Sequence, residues 1–174
     1  MTKPIVQSVT FKVPPEKLFQ IYTDSKKHSA ATGAKAIASP KVGAKFTAFA
    51  GSIAGWNLVV IPNRLIVQAW RATHWKKSDL DSILTMTFSK VPGGSRIDLV
   101  HVGVPEHDHK GVTNGWPQYY WKPWRTYLKR QPAEWRRPSC GSVILVGCFT
   151  SLHRPQKVCS THLGQGARRE AGTA

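Results

Sequence analysis

Residues 115–128 read Gly115-Trp116-Pro117-Gln118-Tyr119-Tyr120-Trp121-Lys122-Pro123-Trp124-Arg125-Thr126-Tyr127-Leu128. Trp116, Tyr119, Tyr120, Pro123, Trp124 and Tyr127 fall at i, i+3, i+4, i+7, i+8 and i+11, which is one stripe of an α-helix. Gly115 marks the start of this helix, and Pro117 suits its first turn. Pro123 removes a backbone donor inside it, so a kink is expected there. A narrow, almost wholly aromatic stripe needs a broad apolar surface to cover it.

The preceding sequence supplies that surface. From Pro4 to Val13 residues alternate, with Ile5, Gln7, Val9 and Phe11 on one side, which is a strand with one wet face. Pro14-Pro15-Glu16 ends it and opens a helix carrying Leu18, Phe19 and Tyr22. Asp24 or Ser25 caps a second short helix that Gly33 stops after Thr32. Strands then follow at 45–49, 52–61, 64–75, 80–90 and 95–104. Gly51, Pro62-Asn63 and Pro92-Gly93-Gly94 supply turns between them. Short connections pair neighbours antiparallel. The predicted fold is α+β: a curved antiparallel sheet wrapped around a long C-terminal helix, with a cavity expected between them.

Composition narrows the function. The chain has 174 residues, 25 Lys and Arg against 9 Asp and Glu, and a formal net charge of +16. An excess of that size points to an acidic partner. Three cysteines, an odd number, are too few for a disulfide scaffold. No apolar run approaches the ~18 residues of a membrane span. The N-terminal Met1-Thr2-Lys3-Pro4-Ile5 opens no apolar signal segment, which makes the cytoplasm the default compartment.

The chain changes character near Arg130. Residues 1–130 hold 19 Lys and Arg against 7 acids, a net +12, and most of these cations are Lys. Residues 131–174 favour Arg and contain Cys140, Cys148 and Cys159, all three of the cysteines. Their one apolar run, Val143-Ile144-Leu145-Val146, has no partner strand nearby. We therefore expect one domain at 1–130 and a disordered tail at 131–174. A shifted reading frame or an aberrant splice would produce such a jump; a genuine flexible tail is the other reading.

Several segments resemble one known family. Gly51, Ile53 and Gly55, then Pro62-Asn63-Arg64-Leu65-Ile66-Val67-Gln68, Trp70-Arg71 and Trp75, are similar to the family of activator of heat-shock-protein-90 ATPase homologues. So are His101-Val102-Gly103-Val104-Pro105 and the aromatic segment from Gly115 to Leu128. The resemblance spans roughly 4–128. It implies a START-like helix-grip fold around an apolar cavity. It also implies a co-chaperone-related role, with the heat-shock-protein-90 chaperone as a possible partner. In eukaryotic co-chaperones of this family the domain forms the C-terminal half, and a separate N-terminal domain makes the main stimulating contact. Some helix-grip relatives are cyclases or hydrolases.

Candidate residues follow from chemistry. Trp56, Trp70, Met86, Phe88, Trp116, Tyr119, Tyr120 and Trp124 could line a pocket for an apolar ligand or simply pack a core. His101 falls on the Ile97 and Leu99 face of the last strand. It is either a group inside the cavity, the basis of an alternative cavity enzyme, or a satisfied structural histidine. Glu106-His107-Asp108-His109 has metal-ligand residue types but reads as a solvated loop, so no metal or cofactor is expected. Lys26, Lys27, Lys41, Lys45, Lys76 and Lys77 lie near turns and on wet faces. They form either a solvated surface or a contact for an acidic protein. Nucleic acid is disfavoured, because binders interleave Arg with exposed aromatics. The leading expectation is a non-enzymatic binding module. Truncation after Arg130 should leave the thermal unfolding midpoint unchanged; a large fall would place the tail inside the folded domain.

Overall fold

The computed structural model describes residues 2–132. All but the first two residues of the tail assigned to 131–174 lie outside the described residues. The element order is β1 (Ile5–Phe11), α1 (Pro15–Thr23), α2 (Ser25–Thr32), β2 (Lys45–Ala48), β3 (Ile53–Ile61), β4 (Leu65–Ala72), β5 (Ser82–Val91) and β6 (Gly94–Val102). A long helix then runs in three parts: α3 (Glu106–Gly115), a π-helical turn (Trp116–Trp121) and α4 (Lys122–Arg130). No helix among the described residues is long and apolar enough to cross a membrane.

Six strands form one antiparallel sheet in the order β1-β6-β5-β4-β3-β2. The helix-grip architecture expected above is the one found. In register, Met86 opposes Leu99 and Phe88 opposes Ile97, so the inner face of β5 and β6 is continuous. Those four residues are buried against Leu18, Phe19 and Trp124 from the helices. Each such buried side chain contributes about 1.5–3 kcal/mol.

Local signals explain the short helices. Pro15 occupies the first turn of α1 and Glu16 sits at its positive end. Asp24 caps α2 by accepting the Lys27 backbone N–H at 2.8 Å. Gly33 ends α2 in the left-handed region at φ 77°. A buried polar chain then ties α1 to the sheet. The Tyr22 hydroxyl donates to Gln68 at 2.6 Å, and Gln68 donates to Asn57 at 2.8 Å. Asn57 in turn donates to the carbonyls of Ser39 and Lys41, at 2.7 and 2.9 Å. The 33–44 connection is thereby held to β3 through satisfied groups.

Three expectations need correction. Strands predicted at 64–75 and 80–90 stop at Ala72 and begin at Ser82. The intervening loop is closed by Arg71, which donates to the carbonyls of Lys76 and Asp79 and pairs with Asp81 at 3.1 Å. The segment 106–109, read as a loop, is the first turn of α3, with Glu106 and Asp108 at its positive end. The long helix therefore begins nine residues before Gly115, which lies within it at φ −62°.

The third concerns Pro123. The helical irregularity expected at that proline lies just before it, as the π-turn. The Lys122 N–H bonds the Pro117 carbonyl, an i→i+5 link. A normal turn would press the Pro123 ring on the Tyr119 carbonyl; widening the turn avoids this. The extra residue also brings Trp121 inward, where it stacks on Trp116 at 5.6 Å and 21°. Its indole N–H reaches Gln7 on β1 at 2.8 Å. The α-helical spacing alone had left Trp121 outside the stripe.

Gly55 on β3 lets the sheet coil tightly. A Cβ there would overlap the Ala69 carbonyl and press on the Phe46 ring. Gly55→Ala should lower the unfolding free energy by about 1–3 kcal/mol, as overpacking does, measured by urea denaturation.

Candidate functional site

Three structural pieces meet beside α3. The first is the helix face itself. Asp108, Gly111, Val112, Gly115, Trp116 and Tyr119 fall at i, i+3, i+4, i+7, i+8 and i+11 along it. The glycines at 111 and 115 add no side chains to this face. A glycine inside a helix costs about 1 kcal/mol relative to Ala. Gly115 provides room in the cleft, whereas the space beside Gly111 is taken by the Asp108 carboxylate.

The second piece is the inner face of β3 and β4, which contributes Ile53, Trp70 and Ala72. The third is the turn between β2 and β3. Phe49 and Ala50 both lie in the left-handed region, at φ 52° and 55°. Neither residue favours that conformation, which costs roughly 1–3 kcal/mol at each. The turn is held by the Ala50 N–H bonding the Lys35 carbonyl at 2.9 Å. It sets the Phe49 ring edge-on to Tyr120 at 5.3 Å and to Tyr119 at 5.8 Å.

Together these pieces bound an open cleft of about 440 Å³. Its walls are mainly apolar and aromatic. At its mouth Asp108 accepts from the Trp75 indole N–H at 2.7 Å and lies 3.1 Å from His74 Nε2. Trp75, which leaves the end of β4, packs on Trp70 at 5.5 Å.

The predicted aromatic set divides. Trp70, Trp116, Tyr119 and Tyr120 line the cleft. Met86, Phe88 and Trp124 do not. They are buried in the core, where Phe88 meets Phe19 and Trp124 meets Phe11 and Tyr22. Trp56 is on the opposite face of the sheet. It pairs in register with Lys45 and Ala69 and is 42% exposed. Phe49, Asp108 and the two glycines were missed. The signals for α3 were available: Glu106 and Asp108 after Pro105, and Val112 four residues before Trp116.

His101 lies one layer behind the cleft wall. It is fully buried, with its ring 4.9 Å from Trp70 and 6.0 Å from Trp116. The Trp116 indole N–H, which can only donate, approaches Nδ1 at 3.4 Å. The proton therefore sits on Nε2 and is donated to Ser82 Oγ at 2.7 Å. The Ser82 hydroxyl in turn donates to the Trp70 carbonyl at 2.8 Å. Burial, and secondarily His109, pushes the His101 pKa down to about 3. The ring is a neutral link between β5, β6 and the long helix. It is fully buried and is not part of the cleft lining.

The six lysines fall on separate segments. Lys26 and Lys27 are on α2, Lys41 precedes β2, Lys45 begins it, and Lys76 and Lys77 lie in the β4–β5 loop. Lys27 bonds the Gln20 side chain at 2.7 Å; the other five are exposed. Among the described residues no cluster of three or more His, Cys, Asp or Glu has a metal-holding arrangement.

Comparison with known proteins matches residues 12–129 to the family described as Activator of Hsp90 ATPase homolog 1-like protein. The chain belongs to this family. A human activator of 90 kDa heat shock protein ATPase homolog 1 is 28% identical over 113 residues, covering 65% of this chain and 33% of the relative. A Dictyostelium discoideum homologue is 30% identical over 117 residues, covering 66% and 30%. The chain thus spans about a third of the length of these curated relatives. Among solved structures, an HSP90 activator from Plasmodium falciparum has a TM-score of 0.66 at 27% identity, covering 74% of this chain and 97% of that one. A Mesorhizobium loti protein has a TM-score of 0.66 at 26% identity, covering 75% and 99%.

His101 supplies the prediction. The unfolded histidine titrates near 6.5 and the folded one near 3. Acid therefore protonates the unfolded state first, and stability present above pH 6.5 is lost as pH falls toward 3. His101→Gln should make this acid limb shallower in denaturation series. His101→Ala should lower stability at neutral pH by about 2–4 kcal/mol, because it leaves a cavity and unpaired partners. An unaltered acid limb in the Gln variant would remove His101 as its source.

Proposed function

We propose that this chain is a non-catalytic binding domain whose cleft receives an apolar small molecule. The observation that carries the reading is the strained Phe49–Ala50 turn beside a helix face left open at Gly115. Local strain and a missing side chain both cost stability, and both open the same cleft. Its volume suits a small organic ligand. The domain works by enclosure: aromatic walls remove apolar surface from water, and the polar groups at the mouth orient the molecule.

A second reading is favoured by the relatives. Two curated relatives and the P. falciparum protein are named as activators of the 90 kDa heat-shock chaperone or its ATPase. The P. falciparum structure is covered over 97% of its length, so its size is close to that of this domain. In this reading the chain engages the acidic surface of such a chaperone through Lys26, Lys27, Lys41, Lys45, Lys76 and Lys77. Ligand and chaperone binding are compatible in one domain.

Titration with the apolar dye Nile red, and separately with the purified chaperone, tests both. Gly115→Leu should weaken dye binding about tenfold while leaving the unfolding midpoint unchanged or raised, since Leu favours helix over Gly by roughly 1 kcal/mol. A Cβ at position 115 meets only Tyr119, at ordinary contact distance. Dye binding should vary little with salt, whereas chaperone binding through lysines should weaken as ionic strength rises. Unchanged dye affinity in the Leu variant would rule out the cleft as the binding place.

A further inference from the structure

The cleft differs in charge from the rest of the molecule. The chain carries 25 Lys and Arg and only 9 Asp and Glu. Among the described residues no Lys or Arg lines the cleft, and one acid, Asp108, does. An acid held in a basic protein would ordinarily be expected to pair with Lys or Arg. Asp108 is instead held by the Trp75 indole N–H and by His74, which fix its Oδ2 at the cleft mouth. Neither partner is an obligatory cation. Its side chain is 19% exposed.

The same cleft is lined by Trp70, Trp116, Tyr119, Tyr120 and Phe49. Trp70 packs on Trp75, the indole that bonds Asp108, while Tyr119 lies about three turns further along the helix beside Phe49. Aromatic faces carry negative quadrupole charge and attract cations, most strongly when the site is desolvated. A set of aromatic rings with one carboxylate suits an organic ammonium group better than an inorganic ion, because alkylated nitrogen is weakly hydrated and matches apolar walls.

We infer that the ligand of this cleft is an organic ammonium, with its alkylated nitrogen at Asp108 and its apolar body along the Gly115 face and the aromatic walls. This rests on the reading of the cleft as a ligand site and adds the charge of its ligand. Asp108 and the aromatic walls set specificity, and Gly115 sets the room.

The test uses two probes of nearly the same shape and different charge, phenyltrimethylammonium and tert-butylbenzene. Both are titrated into the full chain, with the tryptophan indole N–H signals followed by NMR. The cation should bind about tenfold more tightly than its neutral twin. Asp108→Asn keeps an acceptor for the Trp75 N–H, so it should fold as the parent does. In that variant the preference should fall to about twofold, from the aromatic rings alone, with the affinity for tert-butylbenzene unchanged. Asp79→Asn, outside the cleft lining, should keep the full preference. Equal affinity of the two probes in the parent, or a preference undiminished in Asp108→Asn, would overturn the inference and leave the ligand cleft standing. Failure of both probes to bind would overturn the cleft reading as well.

Discussion

Pro117 and Pro123 deprive the long helix of two backbone donors within about two turns, and the turn between them widens to i→i+5 bonding. Much of the domain's interior follows from that constraint. The widened turn places Trp116, Tyr120, Trp121 and Trp124 in mutual ring contact, with centroids 4.6–6.2 Å apart. Aromatic pairs of this kind contribute about 0.5–1.5 kcal/mol each beyond the area they bury. Trp121 then reaches β1, Trp116 reaches His101 on β6, and Trp124 meets Tyr22 on α1. One irregular turn thus joins the helix to both ends of the chain's fold.

The same turn separates core from cleft. On its C-terminal side the helix presents Trp124 and Leu128, which are buried against Phe11 and the sheet. On its N-terminal side it presents two glycines and Val112, which fill little space. The sheet is continuous beneath both halves, so the difference in filling comes from the helix. A filled half anchors the structure, and a hollow half leaves the cleft. His101 marks the border: it is bonded to Trp116 and Ser82, uncharged, and buried behind the cleft wall. A group with both nitrogens engaged and its pKa driven far below neutrality stabilises the arrangement as an uncharged ring near pH 7.

Much of the fold was legible in residue order. Alternation in 5–11 and 82–91 gave strands because each has one face on the core. Asp24 and Gly33 bounded α2 because capping chemistry is local. The departures have different physical causes. Trp56 was assigned to the pocket because its size suits one, yet register puts it beside Ala69 on the outer face. Helix α3, Glu106–Gly115, carries a weak periodic signal because it is polar around most of its circumference. Its inward face carries glycines, where the periodic signal looks for large apolar residues. Trp121 was left out because α-helical spacing cannot anticipate a π-turn.

The sequence by itself determined the antiparallel sheet, the order of helices and strands, and the aromatic face that the sheet would cover. These follow from periodicity and capping, which act between residues close along the chain. Only the tertiary structure decided which aromatics became wall and which became core, where the hollow lies, and that Asp108 rather than His101 faces it. Those outcomes depend on register between strands distant in sequence and on one extra residue in a helical turn. They also depend on the space left beside Gly115, Trp70 and Phe49.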